Sequence, residues 1–325
     1  MNVGFIGCGS IAKVMANTIN KLKNKEIVLY AVSARDYNKA LAFKNEYNAI
    51  KAYGSYEELC LDDNVDLVYI ATPHSHHYSH IKLALENNKN VLCEKAFTVN
   101  SKEASEVIHL ARSKKLLLCE AIWTRFMPSR DLINDLIESN IIGNITSLSA
   151  NLGYDIKNVP RLIDKNLAGG ALLDVGVYPI NFALMCFGND IKRIEASAFI
   201  GKEDVDYIDN IALYYSNKVA HLHSTMLATT DRNGYLYGEK GFICVENINN
   251  PQSIKVYNSN YELIKIVDVP KQVTGYEYQL IECLAALKKG NYETKSMPLT
   301  ETLYVMKILD EIRRKINLVY PNDMK

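Results

Sequence analysis

Lys95, Asp174 and Tyr178 are the residues of this sequence best suited to moving a proton. Lys95 follows an apolar run in Cys93-Glu94-Lys95-Ala96. It either rides the surface or acts as an electrostatic partner for a reacting oxygen. Glu94 alternates to the other face of the same strand, so the two charges need not neutralise each other. Asp174 and Tyr178 lie in Gly169-Gly170-Ala171-Leu172-Leu173-Asp174-Val175-Gly176-Val177-Tyr178-Pro179, four positions apart and hence on one face of a helix opened by a glycine pair. Polar groups so placed on an apolar helix are costly to bury unpaired, so they either bond structural neighbours or line a site. A phenol with an ordinary pKa of ~10 is a poor base at neutral pH, but a nearby ammonium lowers it toward the working range. Lys95 with Tyr178 therefore reads as a proton-transfer pair for an alcohol–carbonyl interconversion.

That chemistry needs a hydride carrier, and the N-terminus offers its site. The apolar run Val3-Gly4-Phe5-Ile6 turns through Gly7-Cys8-Gly9-Ser10-Ile11-Ala12 into a helix with apolar Ile11, Val14, Met15 and Ile19. This is the Gly-x-Gly-x-x-Gly/Ala dinucleotide fingerprint. Gly7 permits the tight turn, Gly9 keeps side chains away from a pyrophosphate, and Ala12 lets helix and strand pack closely. The helix N-terminus supplies unpaired donors and a positive dipole end. An NAD-binding unit carries a carboxylate a little over 20 residues on, for the ribose 2′-OH. Here the second strand closes on Ser33-Ala34-Arg35-Asp36. The guanidinium of Arg35 suits a 2′-phosphate, with the Ser33 hydroxyl and the Lys39 ammonium beside it. A solvated Arg35–Asp36 pair is the competing reading, and the pattern favours NADP over NAD.

A third segment, Ala71-Thr72-Pro73-His74-Ser75-His76-His77, closes another strand. With His80 it suggests a metal site, but no acidic or cysteine partner accompanies the histidines, and His76 and His77 point to different sides. No metal is expected. Ala71, Thr72, His74 and His77, with Glu94 beside Lys95, are read as further cofactor contacts. Trp123 and Phe126 are candidate walls of the substrate pocket next to Tyr178. Trp123 and Arg125 are candidate cofactor contacts, with ordinary hinge packing as the alternative.

These residues need a scaffold, and its rhythm is legible. Short apolar runs alternate with amphipathic helices up to Glu120, which predicts a Rossmann-type doubly wound parallel sheet. Within it, strands are expected at Glu26–Ser33, Val65–Ala71, Asn90–Cys93 and Leu116–Glu120, with a helix at His77–Asn87. From Ile145 strands dominate, from Thr146–Leu152 to Leu263–Val267, joined by turn signals such as Gly238-Glu239-Lys240-Gly241. That half predicts an α+β domain with a large, mostly antiparallel open sheet. Helices Pro128–Ser139, Gly169–Phe187, Tyr276–Lys289 and Leu299–Lys315 are expected to cover one of its faces. The expected division is a nucleotide-binding domain at 1–122 and a substrate-binding and oligomerisation domain at 123–325, the last helix a candidate to pack back on the first domain.

Composition sets the outer bounds. The 325 residues exceed the usual size of a single core. Lys+Arg and Asp+Glu both number 37, so no net charge draws the chain to nucleic acid or a membrane surface. No apolar run is expected to approach the ~18–20 residues of a membrane span. Seven cysteines without a CxxC motif point to reduced thiols and a cytoplasmic location.

Taken together, the chain resembles the glucose-fructose oxidoreductase/inositol dehydrogenase/MocA family over nearly its whole length. The resemblance rests on the Gly7–Ala12 turn, Ala71-Thr72-Pro73 with His77, Glu94-Lys95, Gly169-Gly170 with Asp174 to Tyr178, and Gly275-Tyr276-Glu277-Tyr278. Within the family it is most similar to the branch of dimeric dihydrodiol dehydrogenases and NADP-linked D-xylose dehydrogenases, through Glu120 to Pro128, Ala31 to Asp36 and Ala168 to Asp174. The resemblance implies a hydride transfer between NADP and a sugar or cyclic diol. It implies Tyr178 as acid/base, Lys95 holding the substrate and tuning that tyrosine, and Arg35 gripping the 2′-phosphate. It further implies a homodimer or larger homo-oligomer built through the open sheet. The family follows Glu-Lys with Pro, where Ala96 stands here. A non-catalytic NADPH- or sugar-sensing protein and a reductase of a non-sugar carbonyl or imine are the alternatives, since fold does not fix substrate.

Overall fold

In the computed structural model, which describes residues 1–324, the first apolar run forms strand β1 (Asn2–Ile6) and turns into helix α1 (Ser10–Lys21). Alternation then continues through β2 (Val28–Ser33), α2 (Tyr37–Tyr47), β3 (Lys51–Tyr53), α3 (Tyr56–Leu61), β4 (Leu67–Ile70), α4 (His74–Glu86), β5 (Asn90–Glu94), α5 (Ser101–Lys114) and β6 (Leu118–Ala121). The six strands pair in parallel in the order β3-β2-β1-β4-β5-β6. Strand order reverses between β1 and β4, and that switch point opens a crevice beyond their carboxyl ends. The strands are nearly all buried, as a sheet with helices on both faces requires. On α1, Ala12, Met15, Ala16 and Ile19 face the core, whereas Val14, expected in that stripe, is exposed. Helix α4 starts at His74, one turn before the expected His77, because Pro73 takes an extended conformation and occupies the N-cap.

The second sheet begins after α6 (Pro128–Glu138) with β7 (Ile145–Gly153). A helix, α7 (Val177–Phe187), is followed by β8 (Arg193–Ile200), β9 (Asp206–Tyr214), β10 (Val219–Thr225), β11 (Gly234–Gly238), β12 (Gly241–Val245), β13 (Ser253–Asn258) and β14 (Leu263–Asp268). Their order is β14-β13-β12-β11-β7-β10-β9-β8. Only the β7–β10 pairing is parallel, so the sheet is mostly antiparallel, as expected. Leu148, Leu213, Ala220, Leu222 and Leu236 point to the buried face, where α7 packs on β7 and β10. The opposite face is open and concave, with a cavity of about 850 Å³ lined by Ser149, Asn151, Asn210, His221, His223 and Tyr237 among others.

The helix expected over Gly169–Phe187 is not continuous. It opens with a wide π turn at Leu172–Gly176 before α7, and Gly170 enters it at φ +112°, a conformation only glycine adopts readily. The stretch Lys165–Phe187 also corrects the count of apolar runs. By length and mean hydropathy of 1.5 it could cross a bilayer, yet 89% of that window is buried inside the protein. Gly170, Asp174, Gly176 and Asn181 break its apolar pattern in the sequence.

Two further helices, α8 (Glu277–Lys288) and α9 (Leu299–Lys315), complete the chain. Contacts divide it into two compact units, Met1–Phe126 with Gln272–Met306, and Met127–Lys271 with the segment from Lys307 onward. Helix α8 thus belongs to the first unit and does not cover the second sheet. Polar ties hold its segment there: Thr18 Oγ1 lies 2.7 Å from Thr274 Oγ1, Lys288 pairs with Glu26 at 2.5 Å, and the Leu118 amide donates to Tyr292 O at 3.1 Å. Amphipathic periodicity shows that a helix has a buried face, not which sheet that face meets.

Candidate active site

The crevice at the switch point is built by exclusion of side chains. Gly7 has φ +104°, and a Cβ there would lie 2.7 Å from the Ala71 carbonyl oxygen. Its amide donates to Ser33 O at 3.0 Å, so the turn touches β2 and the end of β4 at once. At Gly9 a Cβ would meet nothing nearer than 3.9 Å, and Gly9 caps α1 without a side-chain hydrogen bond. Ser10 is exposed, Ile11 half-buried and Ala12 fully buried. A bare backbone cradle with free helix-end donors fits a dinucleotide pyrophosphate. The Cys8 thiol, 3.9 Å from Ser33 O, is pushed up to about 11 by burial, against the pull of Lys13 and Lys39, and stays protonated.

At the adenosine end the structure separates residues that sequence had grouped. Ser33 is fully buried and its hydroxyl donates to Phe5 O at 3.0 Å, tying β1 to β2. Asp36 caps α2, accepting from the Asn38 amide at 3.0 Å. Its carboxylate is thereby engaged, while Arg35 and Lys39 stay exposed beside it. The Arg35 guanidinium acts on the Tyr56 phenol and on the His80 ring, which meets Tyr56 edge to face at 4.7 Å. Tyr56 did not stand out in the sequence, and His80 did so only among the clustered histidines, because each becomes adjacent to Arg35 only when β2, α3 and α4 converge.

The ends of β4 and β5 are locked together by His77. Its Nδ1 lies 2.8 Å from Ala96 O and its Nε2 2.8 Å from Thr72 O. Burial lowers the ring's pKa to about 4, with the charge of Lys95 adding to that shift and the two carbonyls opposing it, so at pH 7 the neutral ring donates to one carbonyl and packs against the other. Thr72 Oγ1 in turn meets His80 Nδ1 at 3.0 Å, and His74 stands edge to face with His77 at 5.8 Å. Ala71 is buried against Gly7. Glu94 is buried and accepts from the Tyr69 hydroxyl at 2.5 Å. Lys95 is half-buried and its bond to Ala96 is cis.

Past β6, Trp123, Arg125 and Phe126 are all buried. Trp123 stacks on Tyr276, rings 4.0 Å apart and 4° from parallel. Tyr276 is held by the turn before α8, where the Glu277 carboxylate accepts from the amides of Val273, Thr274 and Gly275 at 2.7–3.1 Å. Arg125 pairs with Glu301 at 2.8 Å. Nearby Glu120 is fully buried and neither carboxyl oxygen has a well-formed hydrogen bond. Burial pushes it up to about 7, although Thr302, Arg125 and the Phe97 backbone favour its charged form.

In the second unit Asp174 lies in the π turn and Tyr178 in the first turn of α7, both nearly buried. Asp174 accepts from Arg161 Nη2 at 3.0 Å, a partner that spacing did not suggest.

This geometry can be set against known proteins. Residues 1–121 match the model of an oxidoreductase family with an NAD-binding Rossmann fold, and residues 131–244 match the GFO/IDH/MocA C-terminal domain. A mouse (Mus musculus) trans-1,2-dihydrobenzene-1,2-diol dehydrogenase is 34% identical over 99% of this chain and 98% of its own. The enzyme of that name from Homo sapiens is 31% identical over 99% and 98%. The chain belongs to the Gfo/Idh/MocA oxidoreductase family. It is accordingly an NAD(P)-dependent dehydrogenase. Among solved structures, a 3-ketoreductase from Actinomadura kijaniata in complex with NADP and TDP-benzene superposes with a TM-score of 0.89 at 24% identity, covering 97% of this chain and 98% of that one. A levoglucosan dehydrogenase in complex with NADH and levoglucosan gives 0.86 at 18%, covering 98% and 97%. Both likenesses confirm the two-sheet fold.

For this oxidoreductase the buried acid at Glu120 has a measurable consequence. An unfolded glutamate releases its proton near pH 4.5, whereas the folded protein holds it to about 7. Between those values the folded state binds more protons, so stability falls as pH rises through the window. Glu120→Gln removes the ionisation. In thermal melts its midpoint relative to wild type should climb from about pH 5 to about pH 8; a difference independent of pH would show that Glu120 ionises freely.

Proposed function

We propose that this dehydrogenase uses NADP to interconvert a CH–OH group of a sugar or cyclic diol with its carbonyl, Tyr178 serving as acid/base and Lys95 as its cationic partner. What carries this reading is identity above 30% along the whole chain to diol dehydrogenases, on a sequence that carries Glu94-Lys95 and Asp174 with Tyr178. The bound nicotinamide supplies the hydride acceptor at its C4. Gly7 to Ala12, Ala71, Thr72, His74 and His77 form the cradle that holds the dinucleotide. Arg35 and Lys39 meet the 2′-phosphate, two cations against the single Asp36 carboxylate, whose Oδ1 caps α2. Ser33, with its hydroxyl turned inward, shapes that corner through its backbone.

During oxidation Tyr178 takes the proton of the substrate hydroxyl while Lys95 steadies the oxygen and favours the phenolate. In reduction the same phenol returns the proton. Asp174, held by Arg161, orients the polar groups beside Tyr178. Trp123 on Tyr276, with Phe126, forms the apolar wall. Arg125, its guanidinium paired with Glu301, and Glu94, next to Lys95, are further cofactor contacts in this reading.

The open concave face of the second sheet is the surface we assign to a second copy of the chain, giving a homodimer or larger assembly. Sedimentation should return at least twice the single-chain mass; a monomer at micromolar concentration would contradict it. The seven free cysteines support a reducing, cytoplasmic setting.

Two substitutions separate the proposed roles. Tyr178→Phe should lower turnover about 10²–10⁴-fold with NADP affinity intact, and Arg35→Ala should weaken NADP far more than NAD. Unchanged turnover in the first, or equal loss of both cofactors in the second, would overturn the corresponding assignment.

A further inference from the structure

Asp206 and Asp209 are three residues apart on β9, where strict alternation would send them to opposite faces. The pairing with β8 slips by one at Tyr207, opposing Ile200 to Asp206 and Phe199 to Ile208, and this bulge turns both carboxyls inward. Both side chains are fully buried. Asp206 Oδ2 accepts from the Leu172 amide at 2.5 Å, at the entry of the π turn that carries Asp174. A Cβ on Gly170 would fall 2.0 Å from Asp206 Oδ1, so the chain threads past the acid only as glycine. Asp209 Oδ2 accepts from the hydroxyl of its cross-strand neighbour Ser224 at 2.9 Å. That hydroxyl lies beneath Gly176, where a Cβ would stand 2.9 Å from it.

Each acid keeps one buried oxygen, Asp206 Oδ1 and Asp209 Oδ1, to which no third residue among those described donates. Two adjacent buried carboxylates repel strongly, and a single proton between them removes the conflict. The two side chains bond each other, and burial with the neighbouring negative charge pushes Asp209 far above the carboxylate range. Asp209 therefore holds the proton and donates it to Asp206. The other titratable group facing the pair is the buried Tyr320 phenol, which donates to Gly169 O at 2.5 Å. Over that ring lies Arg313, itself paired with Asp310 and Asp323.

We propose that Asp206 and Asp209 are positioning residues: a singly protonated carboxyl pair that grips the Leu172 amide and so fixes the turn and helix carrying Asp174 and Tyr178. The remaining negative charge sits at the N-terminal end of that helical segment, where its dipole favours an anion. Tyr320 closes the same turn from the Gly169 side.

The catalytic consequence rests on Tyr178 as acid/base; the shared proton does not. Asp209→Asn places an amide N–H where the acid O–H was and should keep kcat within about threefold. Asp209→Ala should lower kcat about 10–10²-fold, as a displaced catalytic group does, without changing KM for NADP. In the resting wild-type protein at neutral pH, infrared difference spectra against Asp209→Asn should show the C=O stretch of one protonated carboxylic acid. Exchange of the Leu172 amide should be slow in wild type and faster in Asp209→Ala. Absence of that band, or equal damage from Asn and Ala, overturns the pair. Full activity and unchanged Leu172 exchange in Asp209→Ala overturns the positioning role. A wild-type protein with the band and slow exchange but no cofactor reduction would instead refute the proposed function and leave the pair standing.

Discussion

Between Gly7 and the carbonyl of Ala71 there is room for a hydrogen atom and for nothing larger. That steric limit brings the carboxyl ends of β1 and β4 together at the point where strand order reverses, and the cofactor crevice follows from it. Around it, contacts that look structural serve the same end. The Ser33 hydroxyl binds β1 to β2, and Asp36 fixes the start of α2. His77 ties the loop after β4 to the loop after β5, which carries Lys95. The first unit thus presents a rigid rim of backbone donors with few side chains intruding on it.

A second theme is the treatment of buried charge. Low dielectric penalises every ionised group, so groups that pack without a counter-charge are held neutral. Burial keeps the proton off His77 and holds that of Glu120 up to about pH 7, and Asp209 keeps its own beside Asp206. Where charge is retained it is paired, as in Arg125 with Glu301 and Asp174 with Arg161. Lys95 stands half-buried at the end of a strand whose neighbouring acid, Glu94, is held by Tyr69.

Much of this was legible in the sequence because it is local. The fingerprint, the alternating strands and helices, and the switch to antiparallel strands all follow from periodicity and turn chemistry over short windows. What escaped is non-local. Nothing in the spacing announces that Ser33 turns inward, that Tyr276 stacks on Trp123, or that Arg161 reaches Asp174. The Asp206–Asp209 pair was invisible because only a bulge in β9 brings the two onto one face. The helix at Gly169–Phe187 read as continuous because Gly170 and the π turn keep nearly the same apolar pattern as an unbroken α-helix. Helix α8 was misassigned since amphipathicity names a buried face without naming its partner.

In the function proposed above, the ammonium of Lys95 makes the phenol of Tyr178 acidic enough to serve as a base. The most direct measurement is the pH dependence of kcat/KM for alcohol oxidation, compared between the wild-type protein and Lys95→Met. The acidic limb should move to higher pH by about a unit or more once the cation is gone. A limb that stays in place, at whatever residual rate, would contradict it.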